Sequence, residues 1–249
     1  MIETRELKKS FGPQLVLDGV NLRIENGESA VIIGRSGGGK SVLLKHLIGL
    51  LQPDAGDVMV DGENITRMTE RQLLRVRRKF GMVFQGAALF DSMTVAENVA
   101  FGLRRHEHLT EGEIEKRVAA ALELVDLPGT QHKKPAELSG GMRKRAGLAR
   151  AIIYEPQIIL YDEPTTGLDP IVADSIDKLI IRVRDHFKVT SVVVTHDMRS
   201  ARRVGNHVFL LHAKKIYAHG TPEEMFTSQD AIVRQFIDGV ADVKEPIQF

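Results

Sequence analysis

Eight consecutive residues carry the clearest chemical signal in this sequence. The run Gly34-Arg35-Ser36-Gly37-Gly38-Gly39-Lys40-Ser41 fits the pattern G-x-x-x-x-G-K-[ST], in which backbone N–H groups wrap phosphate oxygens and the lysine reaches along a polyphosphate. It follows the apolar residues 30–33 and opens a helical segment, which is the strand–loop–helix context that the pattern requires. There Ser41 is placed to bind Mg²⁺. The alternative, a glycine-rich turn with an exposed lysine, leaves that context unexplained.

Two adjacent carboxylates follow a second apolar run, at residues 158–161. Since ligands in α/β sheets bind beside the carboxyl ends of the strands, Asp162 is predicted to coordinate Mg²⁺, directly or through water. Glu163 is predicted to orient and deprotonate an attacking water. The alternative is a solvated turn before Pro164, but a buried strand would give both carboxylates a fixed, partly buried position.

A third run, Ser139-Gly140-Gly141, supplies one hydroxyl and two unobstructed amides at a predicted helix start. Such a helix start is a site for an anion. Taken in isolation, Ser139 is more often an ordinary helix N-cap. For Gln85 and His196, each considered alone, a satisfied buried polar residue is an equally good interpretation.

The composition is typical of a globular protein. Of 249 residues, 43% are hydrophobic and 27% are charged, and the formal net charge of +1 indicates no global preference for nucleic acid. There is no cysteine, which excludes disulfides and thiolate metal sites. No stretch approaches the roughly 18 apolar residues of a membrane-spanning helix, and the N-terminus has no apolar core like that of a signal peptide. We therefore expect any work at a membrane to go through a partner.

The order of predicted elements indicates a parallel α/β core that is interrupted by a mostly helical insertion. Near the N-terminus, Asn26-Gly27 separates two alternating segments at residues 20–25 and 28–33. This pattern predicts a two-residue β-hairpin.

The three runs, in this order along one chain, make the sequence resemble the nucleotide-binding subunits of ATP-binding cassette (ABC) transporters over nearly its whole length. The resemblance implies an α/β fold with a nucleotide-binding P-loop NTPase (RecA-like) core and an N-terminal antiparallel β subdomain, within residues 1–85 and 158–221. It implies an inserted α-helical signature subdomain at residues 86–157, and a C-terminal helix and tail at residues 222–249. It also implies hydrolysis of ATP with Mg²⁺ by a homodimer with two composite ATP sites, attached to integral membrane permease subunits.

The resemblance further implies roles for residues around the ATP that one protomer binds. Phe11 would stack on adenine, where tyrosine is commoner in the family, and residues 34–41 would hold the phosphates. Gln85 would sense Mg²⁺ and water and link to the membrane partner, and His196 would contact the γ-phosphate. The implied catalytic residues are Lys40, Gln85, Glu163 and His196, and the implied Mg²⁺ ligands are Ser41, Gln85 and Asp162.

Other roles implied by the resemblance act across the dimer. Ser139, Gly140 and Gly141 would contact the γ-phosphate of the ATP that the other protomer binds. Asp169, in the run Gly167-Leu168-Asp169, would belong to the loop that communicates between the protomers.

Finer details point to one branch of the family. Met142 stands where most of the family has glutamine, residues 86–99 read GAALFDSMTVAENV, and residues 234–239 read RQFIDG. This combination resembles the ATPases of Mla-type systems, which serve MCE-domain lipid transporters in the envelope of double-membraned bacteria, with related chains in actinobacteria and chloroplasts. It implies phospholipid transport between the inner and outer membrane, an MCE-domain lipid-binding protein as a partner, and a place at the cytoplasmic face of the inner membrane.

Other functions remain open. An importer ATPase for amino acids or another small solute shares every catalytic motif. A soluble ABC ATPase of translation or DNA repair is disfavoured, because such proteins usually carry two cassettes or long coiled-coil insertions, whereas this chain has one cassette and near-zero net charge. A non-enzymatic role would require a damaged site, yet the predicted catalytic residues are all present. We expect no nucleic-acid partner.

Three surface features have more than one interpretation. Five apolar residues could receive a short helix of a partner, pack the insertion onto the core, or do both: Ala87, Leu89, Phe90, Met93 and Val95. The basic residues between positions 71 and 79 form a solvated helix face, with attraction to anionic lipid headgroups as the weaker alternative. The tail beyond Gly239 is hypothesised to pack on the partner protomer.

Overall fold

The computed structural model describes residues 1–106 and 109–240, which fold into two β-sheets with helices packed against them. The strands are β1 (Ile2–Phe11), β2 (Gln14–Ile24), β3 (Ser29–Ile33), β4 (Ala55–Val60), β5 (Glu63–Asn64), β6 (Phe80–Val83), β7 (Ile158–Asp162), β8 (Thr190–Thr195), β9 (His207–His212) and β10 (Lys215–Gly220). The α-helices are α1 (Lys40–Leu47), α2 (Glu70–Arg77), α3 (Val95–Ala100), α4 (Leu103–His106), α5 (Glu111–Leu124), α6 (Gly140–Ile152), α7 (Pro170–Phe187), α8 (Met198–Val204), α9 (Pro222–Phe226) and α10 (Ala231–Asp238). Short 3₁₀-helices span Ile65–Arg67 and Pro135–Glu137.

The two sheets differ in strand direction. An antiparallel sheet has the order β2-β1-β4-β5. The other sheet has the order β10-β9-β3-β8-β7-β6, and its strands run parallel except for β10, which pairs antiparallel with β9. Parallel neighbours need long crossover connections, and helices supply them here. The prediction of an α/β fold with an antiparallel β subdomain near the N-terminus is confirmed.

The hairpin predicted at Asn26-Gly27 is wrong. β2 ends at Ile24 and pairs with β1, whereas β3 begins at Ser29 and pairs in parallel with β8 and β9. The turn at Gly27, with a φ of 77°, carries the chain from one sheet to the other. A turn signal fixes a change of direction, but the partner of each strand is set by tertiary contacts that the turn does not encode.

The central strands of the parallel sheet are buried on both faces. In β3, Val31 and Ile33 belong to one hydrophobic cluster, while Ala30 and Ile32 belong to another. The first cluster includes side chains of α3, α5, α6 and α7, and the second includes side chains of α1 and the antiparallel sheet. A strand buried on both faces needs apolar residues at successive positions, which is why β3, β7 and β8 are apolar runs in the sequence. The loops that follow these strands therefore start from a rigid base.

Capping residues fix where several helices begin. Thr94, Thr110 and Thr221 each accept a hydrogen bond from the N–H three residues later, and the glutamate at that later position accepts from the threonine N–H. These capping boxes fix the starts of α3, α5 and α9. The helices α3 to α6 lie between β6 and β7, in the segment predicted to be helical, and the subdomain boundaries at residues 85/86 and 157/158 stay a prediction.

The basic run at residues 71–79 is largely paired. Its charged groups form three ion pairs, Arg75 with Glu63, Arg77 with Glu70, and Lys79 with Asp61. Partners on the same surface reduce the charge that is free to attract a lipid headgroup, which favours the interpretation as a solvated helix face.

The helices described in residues 1–106 and 109–240 are all too short or too polar to cross a membrane. Even α7, with 18 residues, carries charged side chains along its length, and Lys178 forms an ion pair with Asp174 one turn away.

A buried carboxyl lies where α7 meets α8. Asp177 is 2% exposed, Ser200 Oγ donates to its Oδ1 over 2.7 Å, and the Arg203 guanidinium lies 3.5 Å from its Oδ2. Burial nevertheless raises the pKa of Asp177 from its ordinary 3.8 to about 6. Because the folded state holds this proton more tightly than the unfolded state, the resulting stabilisation is full at pH values below 3.8 and is lost as the pH rises through about 6.

Asp177→Asn is therefore expected to raise the free energy of unfolding at pH 8 by roughly 1–3 kcal/mol, since a neutral amide avoids the cost of a buried charge and still accepts from Ser200. The gain should shrink as the pH falls from about 6 to about 4. Urea unfolding across this pH range measures it. Asp185→Asn, at an exposed position of the same helix, is the control and should show no gain at pH 8. A gain that does not vary with pH would contradict the explanation by burial.

Candidate nucleotide-binding site

Four neighbouring strands of the parallel sheet end at the candidate site. Gly34 follows β3, Gln85 comes two residues after β6, Glu163 follows β7, and His196 follows β8. Because β3, β8, β7 and β6 are parallel neighbours, their carboxyl ends meet at one edge of the sheet. Ligands in open α/β sheets bind at this edge.

The loop at residues 34–41 joins β3 to α1 and favours glycine at two positions for different reasons. A Cβ atom at Gly34 would lie 2.5 Å from the carbonyl oxygen of Leu211 on β9. Gly39, the N-cap of α1, has a φ of 97°, a left-handed conformation that favours glycine. The chain therefore turns directly into the N-terminus of α1, where free N–H groups and the helix dipole favour an anion. This geometry fits a phosphate group.

Lys40, the first residue of α1, is only 5% exposed. Its Nζ donates to the carbonyl oxygens of Gly34 over 2.9 Å and Arg35 over 3.1 Å, and lies 3.3 Å from Oε1 of Glu163. The buried ammonium thus lies between the loop and the carboxylate. A polyphosphate held by the loop would lie within reach of this cation, as the sequence pattern predicts.

Ser41 and Asp162 form the candidate Mg²⁺ site. Ser41 Oγ donates to Oδ1 of Asp162 over 2.7 Å, and Asp162 is 7% exposed. Hydroxyl and carboxylate oxygens are ligands that Mg²⁺ prefers, and this metal usually keeps phosphate and water oxygens at its remaining positions. The described residues contain no cluster of three or more histidine, aspartate or glutamate side chains placed to hold a metal by themselves. The donor set therefore fits Mg²⁺ bound together with a phosphate ligand.

Glu163 is held in a fixed conformation beside the loop. Its main chain has a φ of 49°, which is unusual for a residue with a side chain, and its N–H donates to the carbonyl oxygen of Val194 over 3.0 Å. Its Oε2 lies 2.8 Å from Nδ1 of His196 and accepts from Oγ1 of Thr166 over 3.1 Å. Glu163 is buried, whereas the His196 side chain is about half exposed. A carboxylate oriented in this way can accept a proton from a bound water.

A cavity of about 390 Å³ opens beside these groups. It is lined by Phe11, Val16, Ser36, Gly37, Gly39, Lys40, Ser41, Val42, Gln85, Glu163, Thr166 and His196. The structure thus brings together the phosphate loop with Gln85, Glu163 and His196, as the sequence predicts. Phe11 is 46% exposed and adds an aromatic ring to the cavity, on which a base can stack.

The residues predicted to act across the dimer lie outside this cavity. Ser139 is the N-cap of α6, and Asp169 is the N-cap of α7. The two helix starts are packed together, because a Cβ atom at Gly140 would lie 3.4 Å from Cδ2 of Leu168. One chain therefore presents two separate groups of predicted residues, the cavity and a surface formed by residues 139–141 and 167–169.

Thr166 lines the cavity and bonds Glu163, but the sequence patterns did not identify it. The available signal was local. Thr166 N donates to the carbonyl oxygen of Glu163 over 3.3 Å, so the chain makes a tight turn after β7. This turn brings the Thr166 side chain, three residues after Glu163, next to the Glu163 carboxylate.

The apolar segment after Gln85 is divided between the core and the surface. Ala87 and Val95 are buried, so their interpretation as docking residues is wrong, because they pack the insertion onto the core. Phe90 is 42% exposed, and its ring centroid lies 4.8 Å from that of Phe101. A second cavity of about 290 Å³ is lined by Met93, Glu97, Phe101, Arg104 and Arg105.

A parallel sheet with a phosphate loop after β3 and paired carboxylates at the end of β7 defines the class, a P-loop nucleotide hydrolase. The family model for the ABC transporter matches residues 17–166. The chain belongs to the ABC transporter family, and it is an ATPase that uses ATP together with Mg²⁺. Cassettes of this family dimerise and act with membrane permeases.

Named relatives cover nearly the whole chain. The intermembrane phospholipid transport ATP-binding protein MlaF of Haemophilus influenzae is 41% identical over 249 residues, which are 100% of this chain and 94% of that protein. The probable ribonucleotide transport ATP-binding protein mkl of Mycobacterium leprae is 44% identical over 238 residues, which are 96% of this chain and 69% of that protein. The chain thus spans about two thirds of the mycobacterial protein and nearly all of MlaF.

A solved relative has the same fold. A dimeric ATP-binding cassette in a post-hydrolysis state, bound to ADP and Pi, superposes with a TM-score of 0.82 at 32% identity, over 89% of this chain and 99% of that one. This similarity confirms the predicted P-loop core with its antiparallel β subdomain and helical insertion.

Proposed function

We propose that this chain hydrolyses ATP to energise phospholipid transport between the inner and outer membranes. The observation that carries the proposal is the similarity to MlaF from end to end, at 41% identity. A phosphate loop, a candidate Mg²⁺ site and an oriented glutamate around one cavity support it, because they are the parts that phosphoryl transfer needs.

In this proposal, ATP binds with its phosphates in the loop at residues 34–41. Backbone N–H groups and the Lys40 ammonium neutralise the phosphate charge, while Phe11 stacks on the adenine. Mg²⁺, held by Ser41, Asp162 and Gln85, would neutralise further charge on the phosphate oxygens.

Glu163 accepts the proton of the attacking water. The 2.8 Å contact with His196 and the 3.1 Å contact with Thr166 orient its carboxylate, so that little reorganisation is needed during the reaction. The half-exposed ring of His196 at the cavity supports a contact with the γ-phosphate.

A second copy of the chain completes each site in our proposal. Ser139, Gly140 and Gly141 lie away from the cavity of their own chain, at the N-terminus of a 13-residue helix that favours an anion. They contact the γ-phosphate of the ATP bound by the partner protomer, with Asp169 beside them. The tail hypothesised to pack on that protomer falls, at residues 241–249, outside the described residues.

We place the chain at the cytoplasmic face of the inner membrane, held by permease subunits that work with an MCE-domain lipid-binding protein. The exposed Phe90 and the neighbouring 290 Å³ cavity offer a surface for a short helix of the permease. Gln85 precedes this surface by five residues and lines the ATP cavity, which supports its role as a link between the two.

For the transported substrate, the proposal has an alternative. A small-solute importer would use the same ATPase residues, and the mycobacterial relative carries the name of a ribonucleotide transport protein. We favour phospholipid because MlaF matches this chain over 94% of its own length, whereas the match covers 69% of the mycobacterial protein.

Affinity purification of the tagged chain from its native membranes, in mild detergent and followed by mass spectrometry, tests the proposal. We expect a multi-span permease and an MCE-domain protein to be recovered together. Phe90→Asp should lose both, since a charge would oppose docking of an apolar helix. Leu74→Asp, at a residue that is 54% exposed on α2, is the matched control and should keep both. A permease recovered with a solute-binding protein would contradict phospholipid as the cargo.

A further inference from the structure

The helix α6 packs along the loop that carries Gln85. Lys144 Nζ donates to the carbonyl oxygen of Gln85. Two turns further along α6, the Arg150 guanidinium donates to the carbonyl oxygens of Ala87 over 2.9 Å and Ala88 over 2.7 Å. Between them lies Gly147, where an added Cβ would be 3.2 Å from the Ala87 oxygen. One face of α6 therefore holds residues 85–88 through their main chain.

This loop needs such support because its conformation is strained. Ala87 has a φ of 61° and Ala88 a φ of 49°, and such left-handed conformations are unfavourable for residues other than glycine. Glu163 has a φ of 49° as well. Strained conformations persist only where the surrounding contacts fix them.

Lys144 connects the two strained segments. Besides the Gln85 oxygen, its Nζ donates to the main-chain oxygen of Glu163 over 3.2 Å. Lys144 is only 8% exposed, and burial lowers the pKa of its ammonium despite the nearby carboxylates of Glu163 and Asp162. An apolar side chain would be easier to bury at this position of α6, so packing alone does not explain a lysine.

We propose that Lys144 is a positioning residue, whose ammonium fixes the main chain at Gln85 and Glu163 and so ties the cavity to the helix that begins at Ser139. The proposal deepens the proposed ATPase function and rests on it. Lys144 does not line the cavity, so it acts through these two residues rather than on the nucleotide. If α6 moves when the partner's ATP binds at Ser139, the same ammonium carries that movement to Glu163.

The first test compares Lys144→Met with wild type in the full chain. Without the ammonium, the carbonyl oxygens of Gln85 and Glu163 lose this donor, so we expect kcat to fall about tenfold or more while the Kd for ATP stays within about threefold. Lys116→Met, which removes an exposed lysine from α5, is the matched control and should leave both constants unchanged. An unchanged kcat, with or without weaker binding of ATP, would overturn the proposal.

A chemical rescue separates the ammonium from the packing of its stem. Since the chain has no cysteine, Lys144→Cys introduces a single thiol. Alkylation of the unfolded variant with 2-bromoethylamine, followed by refolding, forms a C–S bond with loss of bromide and builds a side chain of the length of lysine that ends in an ammonium. Alkylation with 1-iodopropane builds the same length ending in a methyl group. We expect only the ammonium form to regain kcat, and equal activity of the two forms would overturn the proposal.

Amide hydrogen exchange tests the contacts of Lys144 independently of ATP hydrolysis. Residues 85–90 and 163–166 should exchange faster in Lys144→Met than in wild type, whether or not ATP is hydrolysed. A wild-type chain with no ATPase activity would contradict the proposed function. Even then, faster exchange in Lys144→Met would support the proposal that Lys144 fixes the main chain at Gln85 and Glu163. Unchanged exchange in both segments would overturn the role of Lys144 alone.

Discussion

Glu163→Gln should bind ATP with nearly the affinity of wild type and lose about 10²- to 10⁴-fold in kcat, which is the range that a positioned general base contributes. The amide has the shape of the carboxylate and can keep contacts to His196 and Thr166, which lie 2.8 and 3.1 Å away. It cannot accept a proton from water. Because the γ-phosphate would no longer be cleaved, we expect ATP to hold the variant as a dimer.

Phosphate release, ATP titration and size-exclusion chromatography with ATP measure these three effects on one preparation. Glu115→Gln, at an exposed position on α5, makes the same chemical change away from the cavity and should behave as wild type. Undiminished hydrolysis by Glu163→Gln would remove this residue from the role of base. A loss of ATP binding would show instead that the carboxylate mainly supports Lys40, whose Nζ lies 3.3 Å from Oε1.

Lys40→Ala should weaken ATP binding about a hundredfold or more. The ammonium is the buried cation of the phosphate loop, and charge-assisted hydrogen bonds to phosphate contribute roughly 1.5–3 kcal/mol each. Its loss also leaves the carbonyl oxygens of Gly34 and Arg35 without this donor, so the loop loses part of its shape. Both effects act in the same direction.

Isothermal titration with ATP checks this expectation. The control is Lys45→Ala, the same substitution five residues later on α1, at a half-buried lysine that does not line the cavity. Thermal unfolding of both variants separates a local loss of binding from a general loss of stability. Wild-type affinity in Lys40→Ala would contradict the assignment of the loop as the phosphate site.

Most of the residues that line the cavity could be predicted because the sequence patterns that identify them are local. A phosphate loop directly after an apolar strand, or a pair of carboxylates at the end of another, places the functional group within a few residues of the element that holds it. The structure brings Lys40, Gln85, Glu163 and His196 to one cavity, as expected. The variants above test the individual roles of Lys40 and Glu163, while those of Gln85, His196, Phe11 and the Ser139 run stay predictions.

Pairing between distant segments could not be predicted. The Asn26-Gly27 turn has the local pattern of a hairpin, but the strands on its two sides pair in different sheets. The same limit applies to buried charges. Asp177 meets Ser200 on another helix, and nothing local identifies a carboxyl that remains partly protonated near pH 6.

The sequence indicates the burial of Lys144 less directly. Gly141, Lys144, Leu148 and Ala151 are buried at spacings of three and four along α6, so the lysine occupies the apolar face of an amphipathic helix. A lysine at such a position must find acceptors inside the fold. The acceptors themselves, two main-chain oxygens 59 and 19 residues away in sequence, follow only from the tertiary structure.

The adjacency of β6 and β7 in the parallel sheet has a consequence for how such an enzyme can diversify. The strands β6 and β7 are neighbours, with Val83 and Tyr161 in register, so the whole segment between them is one insertion that contains the helices α3 to α6. Replacing the part of this insertion that contains α3 to α5 need not disturb the strand ends that hold the nucleotide, provided that α6 still contacts residues 85–88. Because the proposed permease surface around Phe90 lies within residues 89–137, chimeras that exchange this segment between related chains should retain ATPase activity while changing their permease.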